Sequence, residues 1–400
     1  MQHSIEEGIA AAREGSVGKL SSWLLAGGDP NAHDAAGWTP LLWGAARGHA
    51  DAVEYLLAHL ERPADPAFAH RESGALPIHM AGQAGSVPCA GLLLDRAPEL
   101  IDAVLDINAH TPLLQATFYG HLALAEDLLK RGADTALTTA RGLGPLELAA
   151  QFQNQPMVDL LRPYDRPAEE KAANYKRYLE RIAPVIPPDQ RSAQELADRL
   201  VAAVSGGIAR VVQDHDAADE VIEQVRALVA DGADVNRLGG PLQQPPLIAA
   251  VTGNNGSPAV PEAARLRRDL ANLLLDHGAD PLQRERHPMG AQTIIRGAVF
   301  NHLDILKDCA RSLTPQELAD AINEVPAVNG LTAMHDTVLR ATMAGPDRFP
   351  SYVDQARWFV QNGGRVDIED FSGTTQRDIA DRCDNPEVRA ILLSVLDGHE

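Results

Sequence analysis

The stretch GWTPLLWGAARGH at residues 37–49, followed by AVEYLL at 52–57, decides the fold. Thr39 stands before Pro40, and that order reads as the start of a helix. Proline suits the first turn, where no intrahelical donor is lost, and the threonine hydroxyl can cap the free amides behind it. Gly44, Ala45 and Ala46 leave one side of this short helix slim enough for a close neighbour. Gly48 ends it, because a left-handed backbone is tolerated best without a side chain. A second, apolar helix follows at once. Two such helices cannot bury their own apolar faces, so stacking of further units must supply the core.

The stretch recurs down the chain. Prolines at 40, 77, 112 and 145 are separated by steps of 37, 35 and 33 residues. Each unit then reads as a turn, a short helix, a Gly-His or similar break, a second helix and a Gly-Ala-Asp ending, as in RGADT at 131–135, DGADVN at 231–236 and HGADP at 277–281. The pattern resembles the ankyrin repeat. Thr39-Pro40-Leu41, Pro77-Ile78-His79, Thr111-Pro112-Leu113 and Pro145-Leu146 stand where that family has Thr-Pro-Leu-His, with weaker matches at Pro246-Leu247 and Thr332-Ala333-Met334-His335.

The resemblance implies an all-α fold: an ankyrin-repeat solenoid of about ten helix-turn-helix units, in two arrays joined by a bridging helical segment. The first array is expected over residues 1–162. A Pro-flanked bridge follows at 163–190, holding one charged helix from roughly Ala168 to Ile182. The second array, at 191–400, is degenerate, with connections lengthened by insertions at 254–264, 312–323 and 344–352.

Composition agrees with a helical fold and bounds the partners. Of the residues 45% are apolar, weighted to Ala and Leu, while aromatics are only 4%. Lys plus Arg is 35 against 55 for Asp plus Glu, a net charge of −20. Nucleic acid held by counterion release needs the opposite sign, and an anionic membrane is equally disfavoured. A basic protein fits such a field. Cys89, Cys309 and Cys383 lie far apart and form no CxxC pair, which points to a reducing compartment and to no cysteine-built metal site. The N-terminal MQHSIEEGIAAAREG has no cationic region followed by an apolar one, so the expectation is a soluble, cytoplasmic protein.

In an ankyrin array the turns and the exposed flank of the inner helices line a concave face. Position in the repeat places Trp38, Arg47, His110, Phe118, Tyr119, Arg141, Leu143, Gln151 and Phe152 on that face, with Glu72 beside them in the third unit. Aromatic anchors on a rigid concave surface are what protein interfaces use. For Phe118 and Tyr119 the alternative is local packing. Trp43, one turn inside Trp38, reads as core. His49, His121 and His302 fall in the breaks between helices, where an imidazole can bridge adjoining units, and His79 and His335 take the motif position that bonds to neighbouring turns.

Arg296 in TIIRGAV and Asp336 in TAMHDTV occupy equivalent inner-helix positions of adjacent units. An unpaired buried charge is costly, so the two read as partners, either as an architectural ion pair or as a polar pocket that also recruits His335. Gln115 and Glu147 read as a weaker pair of the same kind. No HExxH or HxH spacing occurs, nor any GxGxxG, GxxxxGK[ST] or GxSxG signature. GNNG at 253–256 reads as a loop break rather than a phosphate cradle. No metal and no cofactor are expected.

Three functions follow. The first is a noncatalytic binding module recognising a basic protein partner through its concave groove, such as a bacterial adaptor or immunity protein. The second is an enzyme or small-molecule binder with a pocket on the same face, since scattered side chains can assemble catalysis without a motif. The third is a secreted effector acting in a host cell.

Overall fold

The Thr39 hydroxyl accepts a hydrogen bond from the Leu42 amide at 3.2 Å, and Pro40 opens the helix Pro40–Ala46. Thr111 repeats the arrangement with the Leu114 amide ahead of Pro112–Tyr119. The computed structural model describes residues 4–59, 61–71, 73–252, 260–287, 290–326 and 330–398. Glu72, the GNNG break and residues 254–259 of the expected insertion lie outside the described residues.

The described residues are helical, with no strand; their only extended pairings are isolated bridges at the turns, Leu105 with His110, Gly239 with Gln244 and Arg284 with Gln292. None of the described helices is long and apolar enough to cross a membrane. The chain divides into two compact units. One is built on residues up to Tyr178 together with Gly330 and Glu369–Gly373; the other takes Leu179–Pro326, Leu331–Ile368 and the residues from Thr374 onward.

In the first unit short helices alternate as inner and outer members of pairs: Ile5–Arg13 with Val17–Leu25, Pro40–Ala46 with Ala50–Leu57, Pro77–Ala84 with Val87–Arg96, Pro112–Tyr119 with Leu122–Lys130 and Pro145–Gln151 with Gln155–Leu161. Leu41, Leu56, Ile78, Leu93, Leu113, Leu124 and Leu128 join one continuous core. Each buried leucine contributes about 2 kcal/mol. Because every pair leans on the next, that core is shared sideways rather than owned by one pair.

The charged helix forms at Ala168–Ile182. Its Tyr178 hydroxyl donates to the Asp106 carbonyl at 3.1 Å, and Tyr175 covers the turn at Gly142, where an added Cβ would meet the ring at 3.2 Å. Lys171 bridges Glu147 and Asp165. Glu147 therefore pairs with this helix and not with Gln115, whose neighbour is His110. A full ammonium charge within reach outcompetes a neutral amide for a carboxylate.

The second unit keeps the pairwise scheme with some longer members: Arg191–Gln213 with Ala218–Ala230, Pro246–Thr252 with Pro261–Asp276, Thr293–Phe300 with Leu303–Ala310, Ala333–Met343 with Phe349–Gln361 and Gln376–Asp381 with Pro386–Leu396. The insertion expected at 312–323 is an extra helix, Pro315–Ile322. Thr314 accepts from the Glu317 amide while the Glu317 carboxylate accepts from the Thr314 amide at 2.8 Å, a reciprocal cap that lets eight residues hold a helix.

Candidate binding face

The rings assigned to the concave face are packed, and this corrects the expectation of open anchors. Trp38 is 5% exposed, His110 8%, Phe118 9% and Tyr119 9%. Trp38 stacks on Trp43 with centroids 4.2 Å apart, and the edge of Phe371 closes over it at 4.8 Å. Phe118 meets Tyr119 edge to face at 5.0 Å, Phe152 at 5.5 Å and His110 at 5.5 Å. Large rings on successive inner helices come close enough to shield one another, and such edge-on contacts are favourable beyond their area. What remains half-buried in this region is Arg47, Arg141, Leu143, Gln151 and Phe152. Arg47 is committed to an ion pair with Glu369 at 2.8 Å. The turn carrying Leu143 is held by its own backbone, the Thr139 amide donating to the Leu143 carbonyl at 2.9 Å.

Because Phe118 is packed on three sides by rings, its removal acts on folding. Phe118→Ala is expected to lower stability by about 3 kcal/mol, read from a urea transition. A loss below about 1 kcal/mol would mean that the ring spends its time in water.

The three residues assigned to a polar pocket, Arg296, His335 and Asp336, are all buried. Besides the expected attraction between Arg296 and Asp336, each has a second ionic partner. Arg296 Nε lies 3.2 Å from Glu285 Oε1, and the Asp336 carboxylate pairs with Arg340, one turn along its own helix, at 3.5 Å. Glu285 comes from the turn before Arg296, where its amide pairs with the Ala291 carbonyl and its carboxylate also receives the Gln244 amide at 2.9 Å. Burial pushes the Asp336 carboxyl up to about 6, and Arg340 and Arg296 draw it partly back. Gln355 donates to the Ala298 carbonyl and to Thr337, and Gln376 donates to Thr332 and His335, so polar side chains tie successive helices together.

Residues 9–103 match the family model for ankyrin repeats, in three copies. Residues 9–103 carry ankyrin repeats. The chain is 32% identical over 89 residues to ankyrin repeat and SAM domain-containing protein 6 of Mus musculus, which covers 22% of this chain and 10% of that protein. It is 32% identical over 155 residues to ankyrin repeat protein nuc-2 of Neurospora crassa, covering 38% of this chain and 14% of the other. The chain thus spans only a small part of the length of these curated relatives.

The histidines of the repeat explain how one ankyrin unit is registered on the next. His79 Nδ1 receives its own helix-start amide, from Leu76 at 3.1 Å, while Nε2 faces the Ala103 carbonyl of the following turn at 2.9 Å. His335 does the same with the Thr332 amide and the Thr374 carbonyl. His49 and His121 reach backwards, each ring facing a carbonyl near the end of the preceding inner helix, Arg13 at 2.9 Å and Gln83 at 2.8 Å. A ring nitrogen that accepts an amide and another that donates to a carbonyl require the neutral imidazole. Burial accordingly lowers His79 and His110 to about 4 and His302 to about 3.

Sequence reasoning missed Glu285, Arg340 and Phe371. The i, i+4 spacing of Asp336 and Arg340 was a readable signal. Glu285 and Phe371 sit in turns whose approach to their partners no local pattern announces.

Proposed function

We propose that the chain is a noncatalytic recognition module that binds a protein partner through the inner-helix and turn face of its ankyrin units. The observation that carries this reading is the composition of the face around Phe152. Half-buried Phe152 meets buried Phe118 edge to face at 5.5 Å, Phe118 in turn meets buried Tyr119, and Arg141, Leu143 and Gln151 of the same helix-turn unit as Phe152 are also half-buried. An aromatic centre with a polar margin on a preorganised scaffold is the anatomy of an interface. Repeats of this family support protein contact, and the surplus of 20 negative charges favours a partner carrying net positive charge. An adaptor or immunity protein of a bacterium is the form of such a module that the Ala-, Arg- and Gly-rich composition supports.

The test is a partner retained by the full-length chain and measured again with Phe152→Ala combined with Leu143→Ala. The expected result is a loss of about thirtyfold in affinity, about 2 kcal/mol, with the melting transition shifted by only a few degrees. A partner held equally by both proteins would remove this face from recognition.

A further inference from the structure

Phe371 is partly buried and packs against the core of the first unit although it lies more than 200 residues beyond the last helix pair of that unit. It stands at the tip of a tight turn, in which the Gly373 amide donates to the Asp370 carbonyl at 3.0 Å and Ser372 Oγ donates to the Asp370 carboxylate at 2.7 Å. The turn presents two groups. The Phe371 ring stands edge-on to Trp38 at 71°, and the Glu369 carboxylate takes Arg47 at 2.8 Å with Arg13 behind it at 4.0 Å.

The receiving surface is built for such a pair. Trp38 and Trp43 stack into an indole slab, and Arg13 and Arg47 lie over the Trp43 ring with their guanidinium carbons 4.5 and 5.6 Å from its centroid. Cation and ring fix each other, so two positive groups are held at the edge of an aromatic platform. In a chain of net charge −20 this local concentration of arginine stands out, and a carboxylate beside a ring complements it. Gly373 completes the fit: it has φ +79°, and an added Cβ would fall 1.3 Å from Arg47 Nη1.

We propose that the Trp38–Trp43–Arg47 surface of the first unit is a recognition site for a turn of the form Glu-x-aromatic, occupied in cis by residues 369–373 and taken over by a protein partner that presents the same acidic and aromatic groups. This deepens the reading of the chain as a protein-binding module by naming a motif. The motif is local, one carboxylate and one ring, and the net charge of the partner that bears it is set elsewhere. A tethered segment acts at an effective concentration of the order of millimolar, so it masks the site from any free ligand of ordinary affinity.

The probe is a fluorescent peptide spanning residues 366–376 of the chain itself, titrated by polarisation against the full-length protein. Glu369→Ala combined with Phe371→Ala empties the site without touching its walls, and this variant is expected to bind the peptide at least tenfold more tightly than the wild type does. Adding Arg47→Glu to that variant is expected to remove the gain, and a peptide with Ala in place of its Glu and Phe is expected not to bind. A double variant that melts cooperatively yet binds the peptide no better than the wild type overturns the proposal. Should the double variant fail to melt cooperatively, Glu369→Lys takes its place with the same two outcomes. Failure here, with a partner that still depends on Phe152, leaves the binding-module reading standing and sinks the motif alone.

Discussion

Arg296→Met is expected to lower the stability of the chain by about 3–5 kcal/mol in urea unfolding at neutral pH. The side chains of Arg296 and Glu285 are 3% and 0% exposed, so removal of the guanidinium strands a carboxylate where water cannot reach it. The amide of Gln244 stays on that carboxylate at 2.9 Å, but a neutral donor offsets only a fraction of the charge. The second half of the test is Glu285→Gln added to Arg296→Met. With both charges gone the desolvation cost goes too, and the double variant is expected to recover more than half of the loss. If Arg296→Met alone costs less than about 1 kcal/mol, the layer is wet and the pair is not an organising feature of the second unit.

The second large effect is on pH. His79, His110 and His302 titrate near 4, 4 and 3 in the folded chain against an ordinary value of 6.5. Between those limits the unfolded chain binds more protons than the folded one, so stability rises with pH there. It is fully present above about pH 6.5 and is lost as pH falls toward the folded values, by about 2 kcal/mol per ring at pH 5. Asp336 works in the opposite direction. Its folded carboxyl titrates near 6 against 3.8, so below pH 6 the folded state holds the extra proton and gains roughly 1 kcal/mol at pH 5. The three rings outweigh it. Urea midpoints measured from pH 7.5 down to 5 are expected to fall steadily, and His79→Gln is expected to flatten that slope while lowering the midpoint at pH 7.5. A midpoint unchanged across that range would mean that the rings are solvated and carry no registering role.

Much of the fold was readable because the repeat writes its own geometry. Thr39 before Pro40 with Gly48 closing the helix, the return of that order at Thr111-Pro112 with Gly120, and the prolines at 77 and 145 each impose a local backbone choice that few neighbours can override. The roles of His79 and His335 were readable for the same reason, since a motif position fixes the distance to the next turn. The helix at 315–322 was missed and seen only as a lengthened loop, although the Thr-Pro-Gln-Glu run at 314–317 carries the signature of a reciprocal cap.

The face was read less well. Position in the repeat places Trp38, Phe118 and Tyr119 on the inner flank, yet whether a ring there meets solvent depends on what packs over it. In this chain Phe371 covers Trp38, and Phe152 and His110 flank Phe118. The partners of Arg296 and Asp336 illustrate the same divide. That a buried charge must be paired follows from its solvation energy and needs no coordinates. Which carboxylates gather round it depends on how the turns and helices pack, and here Glu285 joins Arg296 at 3.2 Å while Arg340 joins Asp336 at 3.5 Å.

What the amino-acid sequence determined by itself was the period, the helix starts and stops, and the need for stacking. These depend on backbone preferences within a few residues and on apolar area that one pair of helices cannot hide. Only the tertiary structure decided which rings are covered, which ions pair and which distant turn fills the Trp38 surface. Contacts between residues hundreds of positions apart are selected by the packing of the whole chain, and no local preference encodes them.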